Sequence, residues 1–236
     1  MQNIHHYGLR VIADYTSVVF PVGRVEFSGE GVLAYGVLDL AGQGMLMISG
    51  EIAITVRGFG NVEIVTTRFT KGMISFFVKN DLHISVAHRG TIDDVVRMEH
   101  RVHLEDGASY TEIAAVAVNG MFDALTIVEH HGKSTSSVRS RIAVAEGAKA
   151  IVRGNIHMTA GALGSKGDER IDALLLGRKA EADVLPMLVV DTDDVTCKHG
   201  ASVGYIDDNA LFYLASRGLN PSEAKNMLVS AFLSVV

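Results

Sequence analysis

Cysteine occurs once in the 236 residues, at Cys197; tryptophan is absent, and proline is confined to Pro21, Pro186 and Pro221. One thiol forms no intrachain disulfide, and any centre that needs several thiolates must borrow them from another chain. With no Trp and only 6% aromatics, the chain has few of the flat apolar faces on which sugars stack. Basic residues are also short, since 21 Lys+Arg against 27 Asp+Glu leave a net charge of −6. Affinity for nucleic acid comes mainly from basic groups that displace counterions from phosphate, so no nucleic-acid partner is expected. Apolar runs such as 113–118 fall far below the roughly 18 residues that span a bilayer. Residues 1–8, MQNIHHYG, carry no basic-then-apolar leader. These absences predict a cytoplasmic protein without membrane insertion.

What is present is apolar material, 48% of the residues, in short β-branched runs from about residue 11 to residue 203. Runs at 52–56, 62–65, 74–78, 84–86, 95–98, 113–118, 125–128, 142–144, 151–152 and 188–190 are mostly polar–apolar alternations. Gly, Asn or Asp interrupts them about every 8–12 residues, the pattern of many short strands. An all-β body follows, either a hairpin-rich sandwich or a solenoid in which each strand stacks parallel on the one a coil earlier. Hairpin dipeptides are rare, with Asn119-Gly120 the exception. An acid-then-Gly-Ala corner recurs, as Leu-Glu-Asp-Gly107-Ala and Val-Ala-Glu-Gly147-Ala. Two copies do not establish a repeat, and on pattern alone both architectures stay open.

The last thirty residues change character. Asp207 and Asp208 precede Leu211, Leu214 and Ala215 at helical spacing, and Gly218 stands where a chain leaves a helix. Asn220-Pro221-Ser222-Glu223 then offers an N-cap, Pro in the first turn and an acid at the third position, ahead of Ala224, Met227, Leu228, Ala231 and Phe232. The division expected is a β body over 1–206 and a two-helix appendage over 207–236.

Ten histidines are the most visible chemistry: His5, His6, His83, His88, His100, His103, His130, His131, His157 and His199. Side chains alternate along a strand, so His130 and His131, and likewise His100 and His103, point to opposite faces; convergence on a metal needs a bulge or a different element. Surface or hydrogen-bonded structural histidines are the simpler reading. The Gly-rich segment 161–170 lacks the Gly-Lys-Ser/Thr ending of a phosphate loop and reads as a surface loop. Paired acids at 93/94, 193/194 and 207/208 suit turns and caps. One constellation remains, Thr196-Cys197-Lys198-His199-Gly200-Ala201. On a strand Cys197 and His199 share a face and can reach one metal or partner; alternatively Cys197 is a small buried hydrophobe with His199 beside it.

The stretch from Asp193 to Leu219, followed by Ser222-Glu223-Ala224 and a helix to Phe232, resembles the C-terminal signature of the SufB/SufD family, which builds iron–sulfur clusters with SufC, an ABC-type ATPase. A looser likeness extends upstream through Asp172-Ala-Leu-Leu-Leu-Gly177 to about Lys133. The resemblance implies a right-handed parallel β-helix with helical ends. It also implies a scaffold or partner rather than an enzyme, working with a SufC-type ATPase and with a SufB-like paralogue or a second copy of itself. The thiol and imidazole of the family's Cys-x-His-Gly motif fall on Cys197 and His199, candidates for cluster assembly at a subunit interface. The segment that docks the ATPase falls on Leu211, Phe212, Tyr213, Arg217, Gly218, Glu223 and Ala224. Where SufB members carry a cysteine and a glutamate, this chain has Ile171 and Gly200, so it is SufD-like. No cofactor is expected on the chain alone, since one thiol cannot hold a cluster that usually takes four ligands; a cluster would be shared. Relatives also have an N-terminal helical domain and a longer helical tail, so this is read as a compact member in which ATPase docking is reduced or lost.

Two other classes stand beside that reading. A β-fold metalloenzyme would use His100, His103, His130 or His131. A solenoid binding protein would take carbohydrate or another protein along its flat face.

Overall fold

The computed structural model describes residues 83–234 in full; within 4–78, backbone pairing is described for six strands, together with the burial of Val78. Those six are β1 (Ile4–Gly8), β2 (Ser17–Val19), β3 (Gly23–Ser28), β4 (Ala34–Ser49), β5 (Ile52–Thr66) and β6 (Gly72–Val78). The side chains of His5 and His6 therefore lie outside the described residues. Nine strands follow: β7 (His83–Ile92), β8 (Val95–Leu104), β9 (Ser109–Val118), β10 (Met121–His130), β11 (Thr135–Val144), β12 (Lys149–Met158), β13 (Lys166–Leu175), β14 (Glu181–Val190) and β15 (Thr196–Tyr205). The chain then enters helices α1 (Asp208–Ser216) and α2 (Pro221–Ser234).

Each strand from β7 onward pairs in parallel with the strand two places away. One face runs β7–β9–β11–β13–β15 and the other β6–β8–β10–β12–β14, and β5 joins them by pairing with both β6 and β7. Sequence neighbours thus sit on opposite faces, as in a flattened solenoid, and not in the back-and-forth pairing of a hairpin sandwich. Ser109 lies beside His83 and Thr135 beside Ser109, a coil of 26 residues; later coils are longer, with Lys166 beside Thr135.

Alternation builds the core. In β8 the inward residues Val96, Met98, His100, Val102 and Leu104 are all buried while their neighbours are not. Ile92, Val116, Val118, Ile142, Val144 and Ile171 from one face meet Val96, Met98, Phe122, Ala150 and Val152 from the other in one apolar cluster. Between faces the chain turns sharply, and Gly107 and Gly147 take φ of 76° and 80°, a conformation that costs glycine little. The alanine after each, Ala108 and Ala148, is 2% exposed and plugs the edge of the lumen. These two corners lie on opposite edges, three half-coils apart, which is why forty residues separate them.

Segment 161–170 is corrected by the structure. The surface loop ends before Lys166, and Lys166–Arg170 opens β13. The concealed signal is Glu169, a charged residue at an inward, buried position.

The helices form as their sequences require. Asp207 Oδ1 accepts from the Asn209 N–H at 2.9 Å, capping α1. At α2, Asn220 Oδ1 accepts from Glu223 N–H and Glu223 Oε2 accepts from Asn220 N–H, both at 2.9 Å, a reciprocal capping box. Helix α2 lies across β9 and β11. There Arg141 stacks over the Phe232 ring and donates to the Phe232 carbonyl, and Lys225 Nζ donates to the Leu176 carbonyl. No helix among the described residues is long and apolar enough to cross a membrane.

Candidate functional site

The last strand of each face has one neighbour: β14 pairs with β12, and β15 with β13. Among the described residues no strand pairs with the outer edges of β14 and β15, so unpaired backbone groups and the last layer of lumenal side chains stand open at this end. Exposed apolar residues concentrate there, namely Leu185, Met187, Val189, Val190, Val203 and Tyr205. α1 and α2 do not close it, because α2 is spent on the flank of β9 and β11.

Cys197 and His199 lie two apart on β15, and alternation puts both on the lumenal side of this terminal strand. Cys197 is half-buried against a small cluster of Ile156, Met158 and Ala162, while His199 is exposed. Burial pushes the Cys197 thiol up, and a backbone hydrogen bond from Gly167 opposes that rise. The thiol is therefore protonated at neutral pH until a metal or a basic partner draws off its proton. Cys197 packs as a small hydrophobe, at an open end and beside an accessible imidazole.

His199 stands in register with Glu169, the last member of a polar file inside the solenoid. At its far end Glu112 receives the Tyr110 hydroxyl at 2.6 Å, the Thr126 hydroxyl at 3.1 Å and contacts His100 Nδ1 at 3.1 Å; His88 Nε2 lies 3.9 Å away. Burial alone would raise the Glu112 carboxyl, but the charge and hydrogen bond of His100, with His88 and Tyr110, bring it down to about 2. Burial and the nearby His100 lower His88 to about 3, so it is uncharged at neutral pH. Val138 separates Glu112 from Glu169 in the same column, with a small cavity lined by Thr126, Ser140 and both glutamates beside it. Burial, then the charge of Glu112, raises Glu169 to about 8. His130 is a satisfied core histidine, with Ser134 and Ser136 hydroxyls on its two nitrogens at 2.7 and 2.9 Å.

On the appendage, Phe212 and Tyr213 are 77% and 56% exposed, and Arg217 stacks over the Tyr213 ring. Gly218 has φ 97° and ends α1. Leu211 is half-buried, Glu223 is engaged in its capping box, and Ala224 is buried. Phe212, Tyr213 and Arg217 thus form an accessible surface, whereas the buried Ala224 adds nothing to it. Ile171 is buried in the apolar core.

Within each strand the histidines diverge as alternation demands, but across coils they converge. His88, His100 and Glu112 gather inside, and His103, Glu129 and His131 gather outside, each set with donor atoms within 4.8 Å of one another. Sequence reasoning missed both glutamates; the 26-residue coil, which carries His103 onto Glu129, is the signal that finds the outer one.

Residues 68–232 match the family model described as "SUF system FeS cluster assembly, SufBD core domain". The chain is similar to the iron–sulfur cluster assembly protein SufD of Escherichia coli, 31% identical over 192 residues, which are 77% of this chain and 45% of that protein. It is also similar to SufD of Bacillus subtilis, 34% identical over 112 residues, 47% of this chain and 26% of that one. A SufBD family protein of Staphylococcus epidermidis is 33% identical over 135 residues, 56% of this chain and 29% of its own length. The chain spans less than half the length of these curated relatives. With parallel coils, a Cys-x-His pair on the terminal strand and a core-domain match over most of its length, this chain belongs to the SufBD family.

Proposed function

We propose that this protein is a SufD-like, non-catalytic component of iron–sulfur cluster assembly that works with a SufC-type ABC ATPase. The observation that carries the reading is the placement of Cys197 and His199 at the open end of the solenoid in a SufBD chain. An open strand edge flanked by exposed apolar residues favours association with a second solenoid, either a SufB-like paralogue or another copy of this chain. A thiol and an imidazole brought to such an interface supply part of a donor set that the partner completes. Phe212, Tyr213 and Arg217 form the accessible surface for an ATPase; ATP-driven closure of that partner would pull on α1, and the rigid coils would pass the movement to the open end.

The test is replacement of the native protein in a strain that depends on it for cluster supply. His199→Ala is expected to lower the activity of a cluster-dependent enzyme at least tenfold, with unchanged thermal unfolding of the purified variant. The double change Phe212→Ala and Tyr213→Ala is expected to abolish co-purification with the ATPase while leaving solenoid association intact. Full activity with His199→Ala, together with no capture of an ATPase by the wild-type chain, would reject the reading.

A further inference from the structure

Three electron-pair donors meet on the outer side of the face that holds β8 and β10, away from Cys197 and His199. His103 and Glu129 occupy the same register position on these strands, and His131 stands one residue beyond the end of β10. His103 Nδ1 lies 2.8 Å from Glu129 Oε2, and His131 Nε2 lies 3.5 Å from that same oxygen. The two ring nitrogens are 3.4 Å apart, with the rings stacked at 5.7 Å. Metal–nitrogen and metal–oxygen bonds of about 2.0–2.2 Å set neighbouring donors roughly 2.8–3.6 Å apart in octahedral or tetrahedral centres. The three separations match that spacing, and one point just off the plane of the donors is about 2.1 Å from all of them.

We propose that His103, Glu129 and His131 bind one divalent first-row transition metal ion, with a donor set suited to iron(II). Two imidazoles and one carboxylate approach from one side and leave the other open to water or an incoming ligand. The side chains are 31%, 31% and 45% exposed, so an ion arrives without opening the fold. His157, in register beside Glu129 and held by Asp191 at 2.7 Å, continues the imidazole- and carboxylate-bearing surface into the next coil. The interior set of His88, His100 and Glu112 differs in kind: it is enclosed, and its carboxylate is already committed to Tyr110, Thr126 and His100.

The proposal is tested on the full chain, purified without a polyhistidine tag and titrated under argon with cobalt(II) and, separately, with iron(II). One equivalent per chain is expected, with visible ligand-field absorption for cobalt and no thiolate-to-metal charge-transfer band. His131→Ala and Glu129→Gln should each weaken binding roughly 100-fold or more, beyond the 10–100-fold cost of losing a supporting contact. Circular dichroism and melting confirm that both variants remain folded, as exposed positions allow. His199→Ala should leave the titration unchanged, which separates this site from the cluster-assembly reading above. No stoichiometric binding of either ion, affinity indifferent to both variants, or a charge-transfer band lost with Cys197→Ser would overturn it.

Discussion

Glu112→Ala is expected to lower the unfolding free energy by about 3–5 kcal/mol, the range for removing one partner of a buried, hydrogen-bonded charge pair. The carboxylate collects the Tyr110 and Thr126 hydroxyls and His100 Nδ1 within 3.1 Å, so deletion strands several polar groups in the lumen at once. Glu112→Gln keeps the volume and part of the hydrogen bonding and is expected to cost less. Urea unfolding at pH 7 measures both; a loss under about 1 kcal/mol for alanine would mean the network is not a stabilising unit. The pH dependence has a definite sign. The folded carboxyl is held down at about 2 against an ordinary value of 4.5, so its contribution is complete above about pH 4.5 and disappears as pH falls towards 2. His88, lowered to about 3 from 6.5, acts in the same direction, because the unfolded chain takes up a proton that the folded one refuses. Wild-type stability should therefore fall steeply in acid, and Glu112→Gln should flatten the part below about pH 4.5.

The legible part of this structure is its local chemistry. Acids before α1 and the Asn220–Glu223 spacing before α2 determine where the helices start, because caps act within one turn. Alternation in runs such as Ile84-Ser-Val86 and the β-branched segment 113–118 marks strands, and Gly107-Ala108 and Gly147-Ala148 mark corners. What local chemistry does not carry is which strand lies beside which. The two corner motifs look like neighbours in a repeat but stand on opposite edges, and the coil length drifts from 26 residues as corners lengthen, which blurs the period. The same gap hides the sites. Glu129 acquires meaning only when a coil brings it alongside His103. The resemblance to SufBD chains resolved the architecture because it rests on a long stretch of residues, not on periodicity. Cys197 and His199 are visible as a pair from alternation, but that they occupy a terminal strand whose outer edge has no partner among the described residues is a property of topology alone.

Glu169→Gln should stabilise the protein increasingly with pH, in the opposite sense to Glu112. Glu169 sits in the lumen between Val138 and His199, and its Oε2 has no hydrogen-bond partner. Burial first, and then the charge of Glu112, raises its carboxyl to about 8 from 4.5, so the folded chain keeps a proton that the unfolded chain releases. The raised value makes the fold most favourable below about pH 4.5 and withdraws that advantage as pH rises through about 8. At roughly 1.4 kcal/mol per pH unit, the loss over that window is on the order of 3–5 kcal/mol. Glutamine imitates the neutral acid at every pH. Its stability relative to wild type should therefore be nearly constant below pH 4.5 and climb by several kcal/mol towards pH 9. Chemical unfolding at a series of pH values reads this directly, and parallel curves for the two proteins would show that Glu169 is ionised in the fold. Gly154 supplies the room for this carboxyl: a Cβ there would fall 1.3 Å from Glu169 Oε1. Gly154→Ala should accordingly cost about 1–3 kcal/mol by overpacking. Most of that cost should vanish in a Glu169→Ala background, because the overlapping atoms belong to the flexible side chain and not to the coil that carries it.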